Sequence, residues 1–288
     1  MKYAFVRDNQ QDFDVAVLCQ VLGVTPSGFY GWLKRPESPR ARRTRELAEG
    51  IRVIHAASRR TYGSIRIRQD LLAMGHSVCR NTVAKIMKQA GIRARTCRRF
   101  RVCTTDSNHG NPVAPNVLDR RFAVDRLNTV WATDITYIHT HEGVLFLAGI
   151  MDLCSRRIIG WSMSDTMTAQ LVIDAMEMAV RTRRPEAGLM HHSDRGVQYT
   201  SGRYREFLSM HGITVSMSRT GNCYDNAVVE SFWGKLKTEA IYDEPLPTRD
   251  RARAVVFDYI EVFYNRQRRH SALGYLSPEQ FEASLERL

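Results

Sequence analysis

The chain has 288 residues, 43% hydrophobic and 25% charged, with a net charge of +12, which excludes a disordered chain or a minimal stapled scaffold and leaves room for one sizeable core plus small modules. No apolar run approaches the roughly 18 residues needed to cross a bilayer, and MKYAFVRDNQQDFD carries no signal core, so a soluble, intracellular and cytoplasmic protein is expected. The six cysteines form no C-x-x-C pair, which argues against a disulfide framework and a thiolate zinc knuckle.

The basic excess belongs to the first 118 residues, and the remainder is close to neutral. In FDVAVLCQVLGVTPSGFYGWLKR, the apolar stripe of Val15, Leu18, Val21 and Leu22 runs into Gly23. Thr25 then stands as N-cap and Pro26 as the first helical residue of a second short helix bearing Phe29, Tyr30, Trp32 and Leu33. Helix, glycine turn, helix is a helix-turn-helix pattern, although any helical hairpin would supply it. RPESPRARRTR (35–45) reads as a basic, proline-punctuated connector, with helix resuming in ELAEGIRVIHAA.

Between residues 51 and 101, 13 Lys and Arg face a single acid, Asp70. A merely solvated surface usually interleaves acids, so this density points to a nucleic-acid partner. A helix is expected from Ser64 to Ala73, stopping at Gly75, and another from Asn81 to Gln89, capped by Asn81 and stopping at Gly91. The second buries Val83, Ile86 and Met87 and leaves Arg80, Lys85 and Lys88 outward, the division a recognition helix needs. With Asn81, and with Arg93, Arg95, Arg98 and Arg99 in the basic tail, these are the candidate DNA contacts of this half. TTDSNHGNPVAPN (104–116) follows as a polar linker.

From residue 128 the pattern changes. NTVWATDITYIH, VLFLAGIMDL and RIIGWSMSD read as three strands joined by tight turns, an antiparallel meander. An amphipathic helix (TAQLVIDAMEMAVRTR), a strand (GLMHHSD), a helix (GRYREFLSMHG), a strand (ITVSMS) and a long helix (AVVESFWGKLKTEAI) complete the order of a ribonuclease H-like α/β domain. The expected fold class is therefore α/β, a mixed five-stranded sheet with helices, preceded by small all-α helix-turn-helix modules. The expected division is 1–40 and 41–103 for the two helical modules, 104–118 for a linker, 119–242 for the core and 243–288 for a C-terminal helical segment.

In this order Asp134 falls mid-strand in the first strand, an expensive place for a lone carboxylate. Asp194 ends the fourth strand, which lies beside the first in such a sheet. Glu230 sits in the last long helix, with Asn226, Trp233 and Lys237 on roughly one stripe. The three acids can converge at one sheet edge, where the usual neutralising partners are two hard divalent cations, Mg²⁺ or Mn²⁺, poised for in-line displacement at phosphorus. Against this, Asp134 and Glu230 could be satisfied by arginines, with Asp194 capping the next turn. The neighbouring histidines His191 and His192 point to opposite faces of a strand, which argues against zinc.

WATDITYI, HSDRGVQYTS and NCYDNAVVESFWGKLKTE, in this order, resemble the three catalytic blocks of the integrase core in insertion-sequence transposases of the IS3 family. Sixty positions separate Asp134 from Asp194 and 35 residues lie between Asp194 and Glu230, the latter a separation that this family shares with retroviral integrases. Lys237 matches the family's basic residue seven positions after the glutamate. YNRQRRHSALGYLSPEQF resembles its closing segment, and 46–100 its helix-turn-helix. The resemblance implies a metal-dependent polynucleotidyl transferase with Asp134, Asp194 and Glu230 as catalytic metal ligands for two Mg²⁺ or Mn²⁺ ions. It also implies binding to terminal inverted repeats and target DNA, release of a 3′-hydroxyl and strand transfer. It further implies an excised circular intermediate and a bacterial, nucleoid-associated protein acting as at least a dimer on DNA. An upstream-frame fusion partner is implied as well, and this chain, with no heptad run, looks like the downstream-frame product.

Other candidates carry two readings each. Asp152 is a fourth ligand or a turn cap; Asn226 an N-cap or a DNA contact; Tyr199 and Trp233 substrate contacts or packing. Arg195, Gln198 and Lys237 could clamp DNA. Tyr264, Asn265, Arg268, Arg269 and His270 are a polar cluster in the last helix that could bind DNA or simply be solvated, and His192 a neighbour of the site or a DNA contact. Two other functions remain open from the residues: a structure-specific nuclease, and a DNA-binding regulator inactive without its fusion partner.

Overall fold

The computed structural model describes residues 1–95, 112–219 and 223–287. Arg98, Arg99 and most of the 104–116 linker lie outside the described residues.

Helices α1 (Lys2–Asn9), α2 (Val15–Leu22) and α3 (Pro26–Leu33) close over Val6, Leu18, Cys19 and Phe29. Gly23 ends α2 in the left-handed region at φ 62°, a conformation that costs a β-carbon. The Thr25 hydroxyl accepts from Gly28 N as the expected N-cap, ahead of Pro26.

The connector read at 35–45 is helical from Pro39. Ser38 caps α4 (Pro39–Ala57) by accepting from Ala41 N, and a proline at the first helical position starts a helix rather than breaking one. Helix α5 (Ser64–Ala73) has the expected bounds. Helix α6 begins one residue early (Arg80–Gln89), so the cap expected of Asn81 does not form: Cys79 takes the extended N-cap conformation and Asn81 lies exposed in the first turn. Val83, Ile86 and Met87 are buried as expected. They join a core that runs continuously from α4–α6 into residues of the sheet and the C-terminal helices.

The sheet runs β3-β2-β1-β4-β5. Strands β1 (Val130–Thr140), β2 (Gly143–Asp152) and β3 (Ile158–Ser164) form the antiparallel meander. Helix α7 (Ala169–Arg183) leads to β4 (Met190–Ser193), which pairs parallel with β1. Helices α8 (Val197–Thr200) and α9 (Gly202–Met210) precede β5 (Thr214–Met217), parallel to β4. A Cβ at Gly160 would lie 2.3 Å from Ala175 O, so this glycine sets how closely α7 approaches β3.

Helix α10 (Ala227–Leu236) continues as a π-helical turn over Lys237–Ile241, and α11 (Arg249–Phe257) likewise over Asp258–Tyr264. The last helix is α12 (Pro278–Leu285), closed by a Ser277–Gln280 capping box. Asn265 to His270 therefore belong to the chain leaving the π-helical turn, not to a final helix as expected. Among the described residues no helix is long and apolar enough to cross a membrane.

Candidate active site

Every β1–β4 register pair, such as Ala132 with His192, is offset by 60 residues, which is also the separation of Asp134 and Asp194. Two parallel neighbours in the middle of the sheet thus bring both acids to one level at the carboxyl end of β4. Helix α10 crosses this end and adds Glu230.

Lost hydration, then the charges of Asp194 and Glu230, holds the Asp134 carboxyl well above its usual range, against the opposing Ile135 N–H and Trp233 indole. Burial and Asp194 likewise push Glu230 up. The acids therefore sense one another's charge. Among the described residues no three His, Cys, Asp or Glu side chains close up as a ready-made metal cluster. As a donor set, the hard oxygens of the three carboxylates suit Mg²⁺ or Mn²⁺.

Two neighbours fix the site. Trp233 Nε1 donates to Asp134 Oδ2 at 3.0 Å. The indole fits because Gly149, register partner of Asp134, has no side chain: a Cβ there would stand 2.7 Å from the ring. Gly196 N donates to Asp194 Oδ1 at 2.9 Å. The sequence alone leaves Trp233 between core and substrate platform and does not show its donation to Asp134. The signals available were its position one turn after Glu230 and a lone glycine in a buried strand.

Lys237 stands over the Tyr137 ring, 4.5 Å from its centroid; burial pushes its amine down from the usual range, and the Asp134 charge only partly opposes this. Arg195 is half-buried and donates from Nε to Ser218 O at 2.7 Å. Gln198 is buried, its Nε2 donating to Met167 O.

Several candidates turn inward. Asn226 precedes α10 but does not cap it through its side chain; it is 5% exposed, and its Nδ2 donates to Thr133 O at 2.9 Å, fastening the helix to β1. Both the side-chain cap and the DNA contact are therefore corrected. Asn226→Ala leaves that buried carbonyl short of a partner and should cost about 1–3 kcal/mol, seen as a lowered melting temperature. The neighbouring Asp225 is buried; desolvation opposes its ionisation, but Arg219 N–H and the Arg120 and Arg219 guanidiniums hold its carboxyl far below the usual range.

Arg268, a candidate DNA contact by sequence, is 1% exposed and forks onto Glu239. A guanidinium with no open surface does not meet a duplex on the protein's exterior. Tyr264, Asn265 and His270 are buried with it, and Arg269 pairs with Asp70. Arg95 is also turned inward, donating to Glu239 O and facing Asp243. Arg80, Asn81, Lys85, Lys88 and Arg93 are exposed, as a DNA-facing surface requires.

His191 and His192 point to opposite faces. His191 meets the Tyr204 hydroxyl at 3.0 Å, whereas His192 lies between the Ser216 and Ser218 hydroxyls. Burial depresses them to about 3 and about 4. Both are neutral structural links, so the reading of His192 as a DNA contact is corrected. Asp152 is a turn cap: fully buried, it accepts from Cys154, Ser155 and Asn128 N–H groups. Tyr199 packs at 2% exposure, within hydrogen-bonding distance of the Thr133 hydroxyl.

Residues 125–223 and 211–278 match models of the integrase core domain, and 42–101 match an HTH-like domain. The chain is 47% identical over 264 residues to an uncharacterized 31 kDa protein of insertion element IS600 from Shigella sonnei, covering 92% of this chain and 97% of that one. It is 43% identical to the transposase InsF for insertion sequence IS3A of Escherichia coli K12, covering 98% of each. Among solved structures it is similar to the HTLV-2 integrase catalytic core domain in complex with magnesium, at 17% identity and a TM-score of 0.40, covering 54% of this chain and 95% of that one.

Proposed function

The chain belongs to the IS3 family of insertion-sequence transposases, and from that premise we propose that it is a metal-dependent polynucleotidyl transferase. In this reading it binds the element's terminal inverted repeats, frees a 3′-hydroxyl and joins it to a second DNA strand. The observation that supports the reading is that Asp134 on β1 feels the charges of Asp194 at the end of β4 and Glu230 on α10, with Asp134 and Glu230 held above the usual carboxyl range. Carboxylates that disfavour one another's ionisation at the carboxyl end of a central strand call for cations.

Asp134, Asp194 and Glu230 would hold two divalent ions, which when bound supply Lewis acidity at phosphorus and activate the attacking oxygen. The chain's own groups do the positioning. Trp233 fixes the Asp134 carboxylate, Asn226 holds α10 against β1, and Lys237 offers a positive charge beside Asp134 to a backbone phosphate. Exposed Arg80, Lys85 and Lys88 on α6 supply donors for phosphates and base edges of duplex DNA, with Asn81 and Arg93 alongside. The helical modules thus select the site and the core performs the chemistry. Two element ends must be handled together, so at least a dimer acts on DNA, with or without an upstream-frame partner.

The test is an assay with purified protein, terminal-repeat duplex and Mg²⁺ or Mn²⁺, scored for freed 3′ ends and for joined products. Chelation should abolish both products and leave duplex binding in place, with Mg²⁺ or Mn²⁺ restoring turnover. Cleavage without joining would make the protein a nuclease, and binding with neither would make it a regulator.

A further inference from the structure

Behind α10, on a stripe away from Glu230 and Trp233, lies a cavity of about 290 Å³. Four cationic side chains line it: Arg66 from α5, Arg156 from the turn after β2, Lys235 from α10 and Arg268 from the C-terminal segment. His270 completes the wall, and no Asp or Glu is among the described lining residues. Glu239 occupies only Nε and Nη2 of Arg268.

The remaining donors are unusual. Arg156 Nη1, Arg268 Nη1 and His270 Nε2 are buried and have no hydrogen-bond partner among the described residues. Arg268 is 1% and His270 6% exposed. A buried polar group without a partner is costly, and a charged one more so. Here such groups gather around one hole, beside further like charges. A core arginine held only for packing has no need of such neighbours, whereas a shared counter-ion accounts for all of them at once.

We propose that this cavity is an anion site that takes a phosphate group, held by Arg156, Lys235, Arg268 and His270. Donors converge from the turn after β2, from α10 and from the C-terminal segment, which suits an anion with several acceptor oxygens better than a single-atom ion. The phosphate is the free ion, because the burial that keeps Arg268 off a duplex keeps a DNA backbone out of the cavity as well. Bound there, it ties α5, in the basic helical module, to α10, the helix that bears Glu230. The inference rests on the cavity alone and stands or falls independently of strand transfer.

Lys235 offers a direct probe. Burial, then the Arg268 guanidinium, pushes its amine down to about 8, and Arg66 and Arg156 push the same way. A bound phosphate reverses that electrostatic pressure and covers the amine.

The experiment is acetylation of the full chain by an amine-reactive reagent at mildly alkaline pH, with Lys235 followed by mass spectrometry. Inorganic phosphate, against chloride of matched ionic strength, should slow labelling of Lys235 by about fivefold or more and leave exposed Lys85 and Lys88 unchanged. Arg156→Gln should remove that protection. Duplex DNA in chloride should leave Lys235 labelling unchanged, and protection by duplex DNA without inorganic phosphate would overturn the free-ion site. Labelling of wild-type Lys235 that is the same in phosphate as in chloride would overturn the proposal.

Discussion

Asp134→Asn is expected to lower cleavage and joining by about 10³-fold or more and, in the same preparation, to raise thermal stability. The loss follows from the proposed metal-holding role, because Lewis-acid stabilisation at phosphorus contributes several kcal/mol and every 1.36 kcal/mol is about tenfold in rate. The gain follows from electrostatics. A carboxyl whose folded pKa is raised binds its proton more tightly in the native state than in the unfolded one. The stability such a group contributes is fully present below the unfolded carboxyl range, is lost as pH rises through the raised folded value, and returns as pH falls back to the unfolded range. Asp134 and Glu230 are both of this kind.

Asn keeps an oxygen that can accept from Trp233 Nε1 and discards the repelling charge. The variant's advantage should therefore be present at neutral pH and vanish in acid, where wild-type Asp134 is protonated. Melting curves across pH measure it, at roughly 2–4 °C per kcal/mol for a chain of this size. Mg²⁺ should raise the wild-type melting temperature and leave that of Asp134→Asn nearly unchanged. Undiminished joining by the variant would remove Asp134 from the site, whatever its stability.

Asp134 and Asp194 stand out in the sequence because each breaks a local rule, whereas Glu230 breaks none and is singled out by its helix stripe and the motif resemblance. A carboxylate in mid-strand and another closing a buried strand both demand an explanation, and period-2 and period-3.6 patterns order the elements well enough to bring them together. The supports of the site were not legible. Trp233 reaches Asp134 only because Gly149 stands opposite in register, and register is a tertiary fact. Asn226 looked like a helix cap, the default role of its residue type before a helix, but a nearby strand carbonyl competes for its amide.

The C-terminal basic residues failed for a similar reason. YNRQRRH is polar enough to read as a surface, and pattern alone could not see Glu239 waiting inside the core. Arg268 donates to both Glu239 oxygens, at 2.7 and 2.6 Å, and the Tyr259 hydroxyl donates to the same carboxylate at 2.8 Å. Burial opposes the Arg268 charge, but these contacts more than reverse that and raise its pKa. Arg95 donates to the Glu239 carbonyl at 2.8 Å. Through its carboxylate and its carbonyl, Glu239 therefore fastens the C-terminal segment and the chain after α6 to the π-helical extension of α10.

Arg268→Ala should accordingly destabilise the protein by about 3–5 kcal/mol, because it strands the Glu239 carboxylate in the core. The melting temperature should fall by roughly ten degrees. Arg268→Lys should recover only part of this, since an ammonium cannot fork onto both oxygens. Replacing both partners by Met and Leu of similar volume should recover most of it, because an apolar pair leaves no stranded charge. A DNA-contacting arginine behaves in the opposite way: its loss weakens duplex binding and reduces the salt dependence while the melting temperature stays put. Melting curves and salt-dependent duplex titrations of the same Arg268→Ala protein separate the two. An unchanged melting temperature with weakened binding would return Arg268 to the DNA surface, and a large fall in melting temperature that the Met–Leu pair repairs would keep it in the core.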